Sequence, residues 1–161
     1  MLSLIAAMAN NNVIGYQQSM PWHLPRELQH FKRITRNKPV IMGRHTYDSI
    51  GHALPERRNL VVSRQHALTL PDAEVFSTID QAIAACQDTT ETMIIGGAQL
   101  YQQTIDQADR LYLTLIELDT AGDAFFPTWD PSHWEIKDSQ AFQPDPKNPH
   151  PYRCITLDKK Q

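Results

Sequence analysis

Residues Pro39–Ser63, which read PVIMGRHTYDSIGHALPERRNLVVS, decide the fold class. Pro39–Gly43 and Asn59–Ser63 are apolar runs of strand length. A run such as VIM, with no polar alternation, is typical of a strand covered on both faces. Between them, Thr46–Ile50 predicts a short helix. A strand, a helix and a second strand in this order predict a βαβ unit with parallel strands.

The same alternation extends along most of the chain, so one sheet of about eight strands flanked by about four helices is predicted. Further strands are expected at Leu2–Met8, Glu74–Phe76, Thr92–Gly97, Arg110–Leu118, Trp134–Phe142 and Tyr152–Asp158. Further helices are expected at Pro25–Arg36, Thr78–Cys86 and Ala98–Ala108.

The last third of the chain has strand-like segments with no helix between them. The Pro-rich segment Gln143–Pro151 (QPDPKNPHP) cannot be a central strand, because proline lacks the N–H that a ladder needs. It is interpreted as a long hairpin connection. The predicted fold class is therefore α/β with three layers, a mostly parallel central sheet and an antiparallel C-terminal strand.

Composition narrows the class of protein. The 161 residues suit a single domain over residues 1–161, and the net charge of −3 argues against nucleic acid as the main partner. The two cysteines, Cys86 and Cys154, are interpreted as small core residues in a reducing, cytoplasmic compartment. No apolar run approaches the ~20 residues of a membrane span, and no signal peptide is recognisable. Without HExxH, CxxC or GxSxG motifs, neither a metal centre nor a serine nucleophile is expected.

A long polar segment, Asn10–Leu24, is predicted to be a loop between a buried strand and a helix. Loops of this length in compact domains are usually functional, although an ordinary surface loop remains an alternative. Its end, Met20-Pro21-Trp22, is apolar and would cover a neighbouring site. Glu27 follows in the first turn of the next helix, where an acid suits the helix dipole at the surface. At an apolar boundary the same carboxyl would instead have a raised pKa and serve as a proton donor.

Two strand-to-helix turns carry features of phosphate sites. Gly43–Thr46 combines a glycine, a guanidinium and a hydroxyl at a helix start, where free backbone N–H groups favour anions. If the flanking strands are parallel neighbours, Arg44 and Arg64 lie at the same edge of the sheet. The pair Gly96-Gly97 would let a pyrophosphate approach the backbone, but a plain tight turn explains it equally well.

Together these segments resemble the dihydrofolate reductase family. The matching stretches, SLIAAMANNNVIG, MPWHLPRELQHFKR, KPVIMGRHTYDSIG, ALPERRN, MIIGGAQLY, LYLTLIE and GDAFFP, follow the family's order from Ser3 to Pro127. The resemblance implies NADPH-dependent reduction of 7,8-dihydrofolate to tetrahydrofolate, which supplies one-carbon carriers for biosynthesis. It also implies a monomer that is inhibited by diaminopyrimidine and pteridine antifolates.

The resemblance implies a role for each matching residue on the substrate side. Glu27 would bind the pterin and promote protonation at N5, with Thr114 hydrogen-bonded to its carboxylate. Trp22 would hold an ordered water and Met20 would close the loop. Arg57 would bind the α-carboxylate of the glutamate tail. The walls of the pocket would be Ile5, Ala7, Leu28, Phe31, Ile50, Leu54 and Ile95.

The resemblance also implies a cofactor site, with Ala7 and Ile14 at the nicotinamide amide and Gly122 and Asp123 steadying the mobile loop. The remaining cofactor residues would be Gly15, Gly43, Arg44, His45, Thr46, Ser63, Arg64, Gly96, Gly97, Ala98, Gln99, Leu100 and Tyr101.

Two positions depart from the family pattern. Glu27 stands where most bacterial relatives have Asp, and its longer side chain is expected to keep the role but to shift the pterin slightly. Gln99 stands where some relatives have a basic residue near the 2′-phosphate. Two other classes stay open. A pyrimidine reductase of flavin biosynthesis would lack the set of Trp22, Glu27 and Arg57, and a non-catalytic nucleotide-binding module would need neither Glu27 nor a lid.

Overall fold

A computed structural model describes residues 1–65 and 68–161, and within these ranges the chain forms ten β-strands and four α-helices. The strands are β1 (Leu2–Met8), β2 (Val13–Gly15), β3 (Val40–Gly43), β4 (Asn59–Val62), β5 (Glu74–Phe76), β6 (Thr92–Gly96), β7 (Arg110–Ile116), β8 (Ala124–Phe125), β9 (Trp134–Phe142) and β10 (Tyr152–Lys159). The helices are α1 (Pro25–Thr35), α2 (Arg44–Ile50), α3 (Ile79–Ala84) and α4 (Ala98–Thr104).

Of the described strands, eight form one sheet in the order β5-β4-β3-β6-β1-β7-β10-β9. The neighbours from β5 to β7 pair in parallel, whereas β10 is antiparallel to both β7 and β9. The hairpin expected at Gln143–Pro151 joins β9 to β10. The predicted fold class is therefore confirmed.

Alternate residues of the parallel strands face opposite layers, because side chains in a strand have a period of two. Leu4, Ile41 and Ile94 are fully buried on the face covered by α3 and α4. Ile5 and Val40, on the other face, pack with residues of α1 and α2. These strands are therefore buried on both sides, as the absence of polar alternation in the sequence predicted.

Two details of the sequence prediction were wrong. The segment Asn10–Leu24 is not entirely irregular, because β2 lies within it and pairs with the short β8 in a second, two-stranded sheet. Helix α2 begins at Arg44 rather than Thr46, so Arg44 lies inside its first turn. Short apolar runs carry little information about such boundaries.

Helix α1 follows directly from its sequence. Pro25 occupies the first helical position, where its missing N–H has no intrahelical partner to lose. Glu27 lies in the first turn and Lys32 in the last, each matching the helix dipole. Thr35 is fully buried, whereas Leu28 remains 44% exposed.

Candidate active site

The carboxyl ends of the parallel strands place most of the predicted site residues along one edge of the sheet. β3 and β4 are parallel neighbours, so Arg44 and Arg64, which follow them, lie at the same edge, as the sequence predicted. β6 ends at Gly96 next to β3. An edge of this kind, outside the carboxyl ends of the strands, is where open α/β sheets bind ligands.

Glu27 lies at the amino end of α1 with its carboxyl turned toward the sheet. Burial raises the pKa of this carboxyl to about 7, while a hydrogen bond from Thr114 acts in the opposite direction. The hydroxyl of Thr114, buried on β7, donates to Oε1 of Glu27 at 3.3 Å. A carboxyl with this pKa holds a proton in a large fraction of molecules near neutral pH.

Cys154 lies on the far side of Thr114. It is the direct partner of Thr114 in the β7–β10 pairing, and its Sγ is 3.6 Å from the threonine hydroxyl. The expectation that both cysteines are buried and free is confirmed. No local sequence signal connects Cys154 with Glu27, because only the register of β10 against β7 brings the two residues together.

An apolar wall lies beside Glu27 on the face of the sheet covered by α1 and α2. Ile5 and Ile95 are buried there, and Phe31, Ile50 and Leu54 are partly buried against the same cluster. Five of the seven predicted wall residues are thus brought together.

The two remaining wall residues have different surroundings. Ala7 packs instead with a third cluster that contains the buried Trp22, and Leu28 is exposed. Met20, expected to cover the site, is 59% exposed.

The glycine pair lies against Thr46 and Tyr101. The Gly96–Gly97 peptide bond is cis, and Gly96 has φ +126°, which side-chain-bearing residues rarely adopt. A Cβ on Gly96 would lie 3.3 Å from the Tyr101 hydroxyl and 3.5 Å from Oγ1 of Thr46. Tyr101 donates in turn to the carbonyl of Ile5 at 2.6 Å, and its burial raises the pKa of its hydroxyl. The turn therefore requires a glycine at position 96, because of its positive φ and because a side chain there would press on Tyr101 and Thr46.

Arg44 and Arg57 each carry a buried donor without a hydrogen-bond partner among the described residues. Arg44 donates from Nε to Asp48 at 2.9 Å, but its Nη1 is unpaired. Arg57 donates from Nη1 to Thr35 at 2.9 Å, but its Nε is unpaired. Burial lowers the pKa of Arg57, and a buried unpaired donor is unfavourable until a ligand supplies an acceptor. Both arginines therefore suit anionic groups.

The other cofactor-side positions are more open. Arg64, His45 and Gln99 are exposed, and Ser63, Thr46 and Gly43 are half-buried. Leu100 and Tyr101 are buried in α4, and Ala98 is its first residue.

The loop beyond β2 is held by the segment before β8. The backbone N–H of Asp123 donates to the carbonyl of Gly15 at 3.0 Å, and Oδ2 of Asp123 accepts from the N–H of Gln17 at 2.9 Å. A Cβ on Gly122 would lie 2.5 Å from Cγ1 of Val13. The contact expected between these two segments is therefore present, and it requires a glycine at position 122.

Two general properties complete the description of the site. The described residues contain no group of three or more His, Cys, Asp or Glu side chains arranged to hold a metal ion. Among the helices of residues 1–65 and 68–161, none has the length and apolar character needed to cross a membrane.

The carboxyl edge of the parallel sheet carries the glycine turn, the unpaired donor of Arg44 and the charge of Arg64. This arrangement is typical of the nucleotide-binding α/β class of proteins. A family model described as dihydrofolate reductase matches residues 1–159. The chain belongs to the dihydrofolate reductase family. Its members catalyse the NADPH-dependent reduction of dihydrofolate, so the family, reaction and cofactor implied by the sequence resemblance are confirmed.

Individual relatives match over nearly the whole chain. The chain is 45% identical to dihydrofolate reductase type 3 of Salmonella typhimurium over 161 residues, covering 100% of this chain and 99% of that protein. It is 41% identical to dihydrofolate reductase of Bacillus subtilis (strain 168), covering 99% and 95%. Dihydrofolate reductase from Enterococcus faecalis, complexed with NADP(H) and RAB-propyl, superimposes with a TM-score of 0.94 at 30% identity, covering 100% and 97%.

Proposed function

We propose that this site reduces 7,8-dihydrofolate to tetrahydrofolate, with Glu27 as the group that promotes protonation at N5 of the pterin. The observation that carries the proposal is the carboxyl of Glu27, which has a pKa of about 7 and lies beside an apolar wall. A carboxyl that exchanges a proton near neutral pH is suited to general acid catalysis.

On the substrate side, the carboxylate of Glu27 accepts hydrogen bonds from N3 and the 2-amino group of the pterin, which form a planar pair of donors. Thr114 orients this carboxylate. Arg57, fixed on Thr35 and with Nε unpaired, binds the α-carboxylate of the glutamate tail. Trp22 holds an ordered water beside the pterin, and Met20 closes the loop over the site. The walls are Ile5, Ala7, Leu28, Phe31, Ile50, Leu54 and Ile95.

On the cofactor side, the chain has features that fit NADPH. The unpaired Nη1 of Arg44 is available to a phosphate oxygen, and Arg64 adds a second positive charge at the same edge. The Gly96-Gly97 turn brings backbone without side chains to the same edge, where we expect a pyrophosphate to approach it. When bound, NADPH supplies the hydride that reaches C6. The remaining contacts are assigned to Ala7, Ile14, Gly15, Gly43, His45, Thr46, Ser63, Ala98, Gln99, Leu100 and Tyr101.

In the reaction, the protein contributes position and proton control. The wall on one side and the glycine turn on the other hold the two ligands against each other, which favours transfer between them. In the free site Glu27 holds a proton because burial disfavours the charged form, and the two pterin donors favour the carboxylate once substrate binds. Protonation at N5 makes C6 a better hydride acceptor.

The direct test is loss of NADPH absorbance on addition of dihydrofolate to the purified chain. We expect turnover by the unmodified chain and a loss of most turnover at pH 7 in Glu27→Gln, with NADPH affinity retained. The substitution keeps the size of the side chain and removes its titration. Turnover near that of the unmodified chain in Glu27→Gln would contradict the role of Glu27, and absence of turnover in both would contradict the proposed reaction.

We further propose that residues 1–161 act as one domain and as a cytoplasmic monomer without nucleic-acid partners. The match of the family model to residues 1–159 and the net charge of −3 support this proposal. Diaminopyrimidine and pteridine antifolates are the expected inhibitors. Light scattering at micromolar concentration should give a mass near 18.4 kDa, whereas twice that mass would indicate a dimer.

A further inference from the structure

The amino end of α1 is capped by a residue far away in the sequence. Leu24, at the N-cap position, has no side-chain acceptor. The free N–H of Arg26 donates instead to Oδ1 of Asn148 at 2.9 Å. Asn148 is 5% exposed and lies in the hairpin between β9 and β10. The C-terminal hairpin therefore supplies the cap that the helix lacks.

The same hairpin also holds the side chain of Arg26. Its Nε donates to the Tyr152 hydroxyl at 2.8 Å, and its Nη2 donates to the carbonyl of Gln143 at 2.8 Å. Its Nη1 forms an ion pair with Asp145 at 3.3 Å. The guanidinium carbon lies 5.0 Å from the ring centre of Phe142 and 5.1 Å from that of Tyr152.

The tip of the hairpin is itself fixed by hydrogen bonds. Oδ1 of Asp145 accepts from the backbone N–H of Asn148 at 2.8 Å and from its Nδ2 at 2.9 Å. Asp145 and Asn148 also pair through their backbones. The side-chain oxygen of Asn148 therefore points in one direction, toward the N–H of Arg26.

Glu27 is the residue that follows Arg26, and its carboxyl lies between α1 and β7. Strand β10 begins at Tyr152, which binds Arg26, and continues to Cys154, which contacts the Thr114 hydroxyl. Strand β10 thus holds both the helix end that carries Glu27 and the Thr114 hydroxyl that binds the Glu27 carboxyl. A shift of the helix end would change the distance of 3.3 Å between Thr114 and Glu27.

We propose that Arg26 and Asn148 are positioning residues that fix the carboxyl of Glu27 for the pterin. This inference rests on the proposed function. The contacts specify position as well as stability, because they act on the backbone and the side chain of Arg26, the residue before Glu27, from several directions. An arginine that donates to three different residues and lies over two aromatic rings cannot be replaced by lysine without loss of these contacts.

The test compares Arg26→Gln and Asn148→Ala with the unmodified chain, with NADPH present. Both variants should lower kcat and weaken binding of a 2,4-diaminopyrimidine antifolate by roughly fivefold to tenfold. Asn148→Ala removes the acceptor for the backbone N–H of Arg26, and Arg26→Gln removes the side-chain hydrogen bonds from the helix end to the hairpin. NADPH affinity should stay within about twofold, because neither residue lies at the cofactor edge. Asn148→Ala changes no charge. If it lowers kcat and antifolate affinity as Arg26→Gln does, the effect comes from the position of Glu27 and not from the lost charge of Arg26.

Two matched controls come from exposed residues. Lys32→Gln removes one charge from α1, and Lys147→Ala alters the hairpin; neither side chain has a hydrogen bond or ion pair in the described part of the chain. Both should bind the antifolate as the unmodified chain does. In a Glu27→Gln background, Arg26→Gln should lose most of its effect on antifolate binding.

The inference fails if Arg26→Gln and Asn148→Ala leave antifolate affinity and kcat unchanged in an active enzyme. It also fails if the two variants weaken NADPH binding as much as antifolate binding, which would indicate a general loss of structure. A third contrary result is a loss of antifolate affinity on Arg26→Gln that is as large in the Glu27→Gln background as in the unmodified chain. Absence of turnover by the unmodified chain would instead overturn the proposed function. If Arg26→Gln does not fold, Asn148→Ala alone decides between these outcomes.

Discussion

At the scale of single residues, burial changes the chemistry of groups whose local sequence is unremarkable. Glu27 suits the first turn of a surface helix, yet its environment raises its pKa to about 7. Arg44 and Arg57 each have a partner for one nitrogen and none for another. These three side chains are not arranged for the stability of the free protein, because each carries a desolvation cost that a ligand would offset.

The raised pKa of Glu27 predicts how stability depends on pH. An unfolded chain ionises Glu27 near its ordinary pKa of 4.5, whereas the folded chain keeps the proton until about 7. Between these values the unfolded state binds fewer protons, so the free energy of unfolding decreases as pH rises. Glu27→Gln should therefore gain stability relative to the unmodified chain from pH 4.5 to 7, by at most about 3 kcal/mol.

Urea unfolding of both proteins from pH 4 to 8, without ligands, measures this difference. The exposed Glu56 provides the control, since its ion pair with Arg36 lies at the surface and Glu56→Gln should change the free energy of unfolding little. A difference between Glu27→Gln and the unmodified chain that is flat across the range would show that the pKa of Glu27 is not raised.

The two arginines at the phosphate edge predict cofactor discrimination. Replacing Arg44 and Arg64 together with glutamine should raise the KM for NADPH by about tenfold or more and change the KM for NADH much less. NADH lacks the 2′-phosphate that these cations would bind. Steady-state kinetics with both cofactors gives the ratio, and the exposed Arg153→Gln is the control for charge alone. Equal effects on both cofactors would exclude a 2′-phosphate site at this edge.

At the scale of elements, the site depends on contacts between segments that are far apart in sequence. Helix α1 is capped from the hairpin between β9 and β10, and β2 pairs with β8. The segment before β8 carries Asp123, which bonds to Gly15 and Gln17 in the loop after β2. The sequence predicted the elements themselves well, because periodicity is local, but their contacts depend on the assembled sheet.

The contact between Gly122 and Val13 predicts the effect of added bulk. In Gly122→Ala the new Cβ would overlap Cγ1 and Cγ2 of Val13, so the β2–β8 sheet must shift. We expect a loss of about 1–3 kcal/mol in unfolding free energy and a lower kcat. Val13→Ala removes both γ-carbons, so the double variant should be more stable than the sum of the single effects predicts. Strict additivity in thermal unfolding would contradict this contact.

At the scale of the whole molecule, the charged groups at the two ends of the parallel strands differ in how fully they are paired. The carboxyl edge holds the unpaired Nη1 of Arg44, whereas the amino end of β6 holds a charge network whose groups are paired. There Glu91, which is buried, accepts from Lys38 at 2.8 Å, from Ser3 at 2.6 Å and from Tyr112 at 2.9 Å. Burial alone would raise the pKa of Glu91, but these three hydrogen bonds lower it below the usual range.

This network predicts a change in stability without a change in chemistry. Glu91→Gln should lower the free energy of unfolding at pH 7 by about 2–3 kcal/mol, since it leaves Lys38 without its counterion. The difference should shrink as pH falls through the lowered pKa of Glu91, because the carboxylate is then protonated. Turnover by the folded fraction should be unchanged. The exposed pair of Lys137 and Glu135 gives the control, and Glu135→Gln should have almost no effect.

If Glu91→Gln altered kcat while its unfolding midpoint in urea stayed the same, the network around Glu91 would act in catalysis and not in stability, and the prediction would be wrong.

The sequence by itself determined the layers of the fold and the family, because both depend on local patterns: apolar strands without alternation, helices between them, and motifs in a fixed order. It also indicated Glu27, Arg44 and Arg57 from their positions in those motifs. Only the tertiary structure decided that Arg26 is held by Tyr152 and Asn148, and that Cys154 contacts Thr114. The physical reason is that hydrogen bonds and burial depend on distance in space, which strand order and register set and local periodicity does not encode.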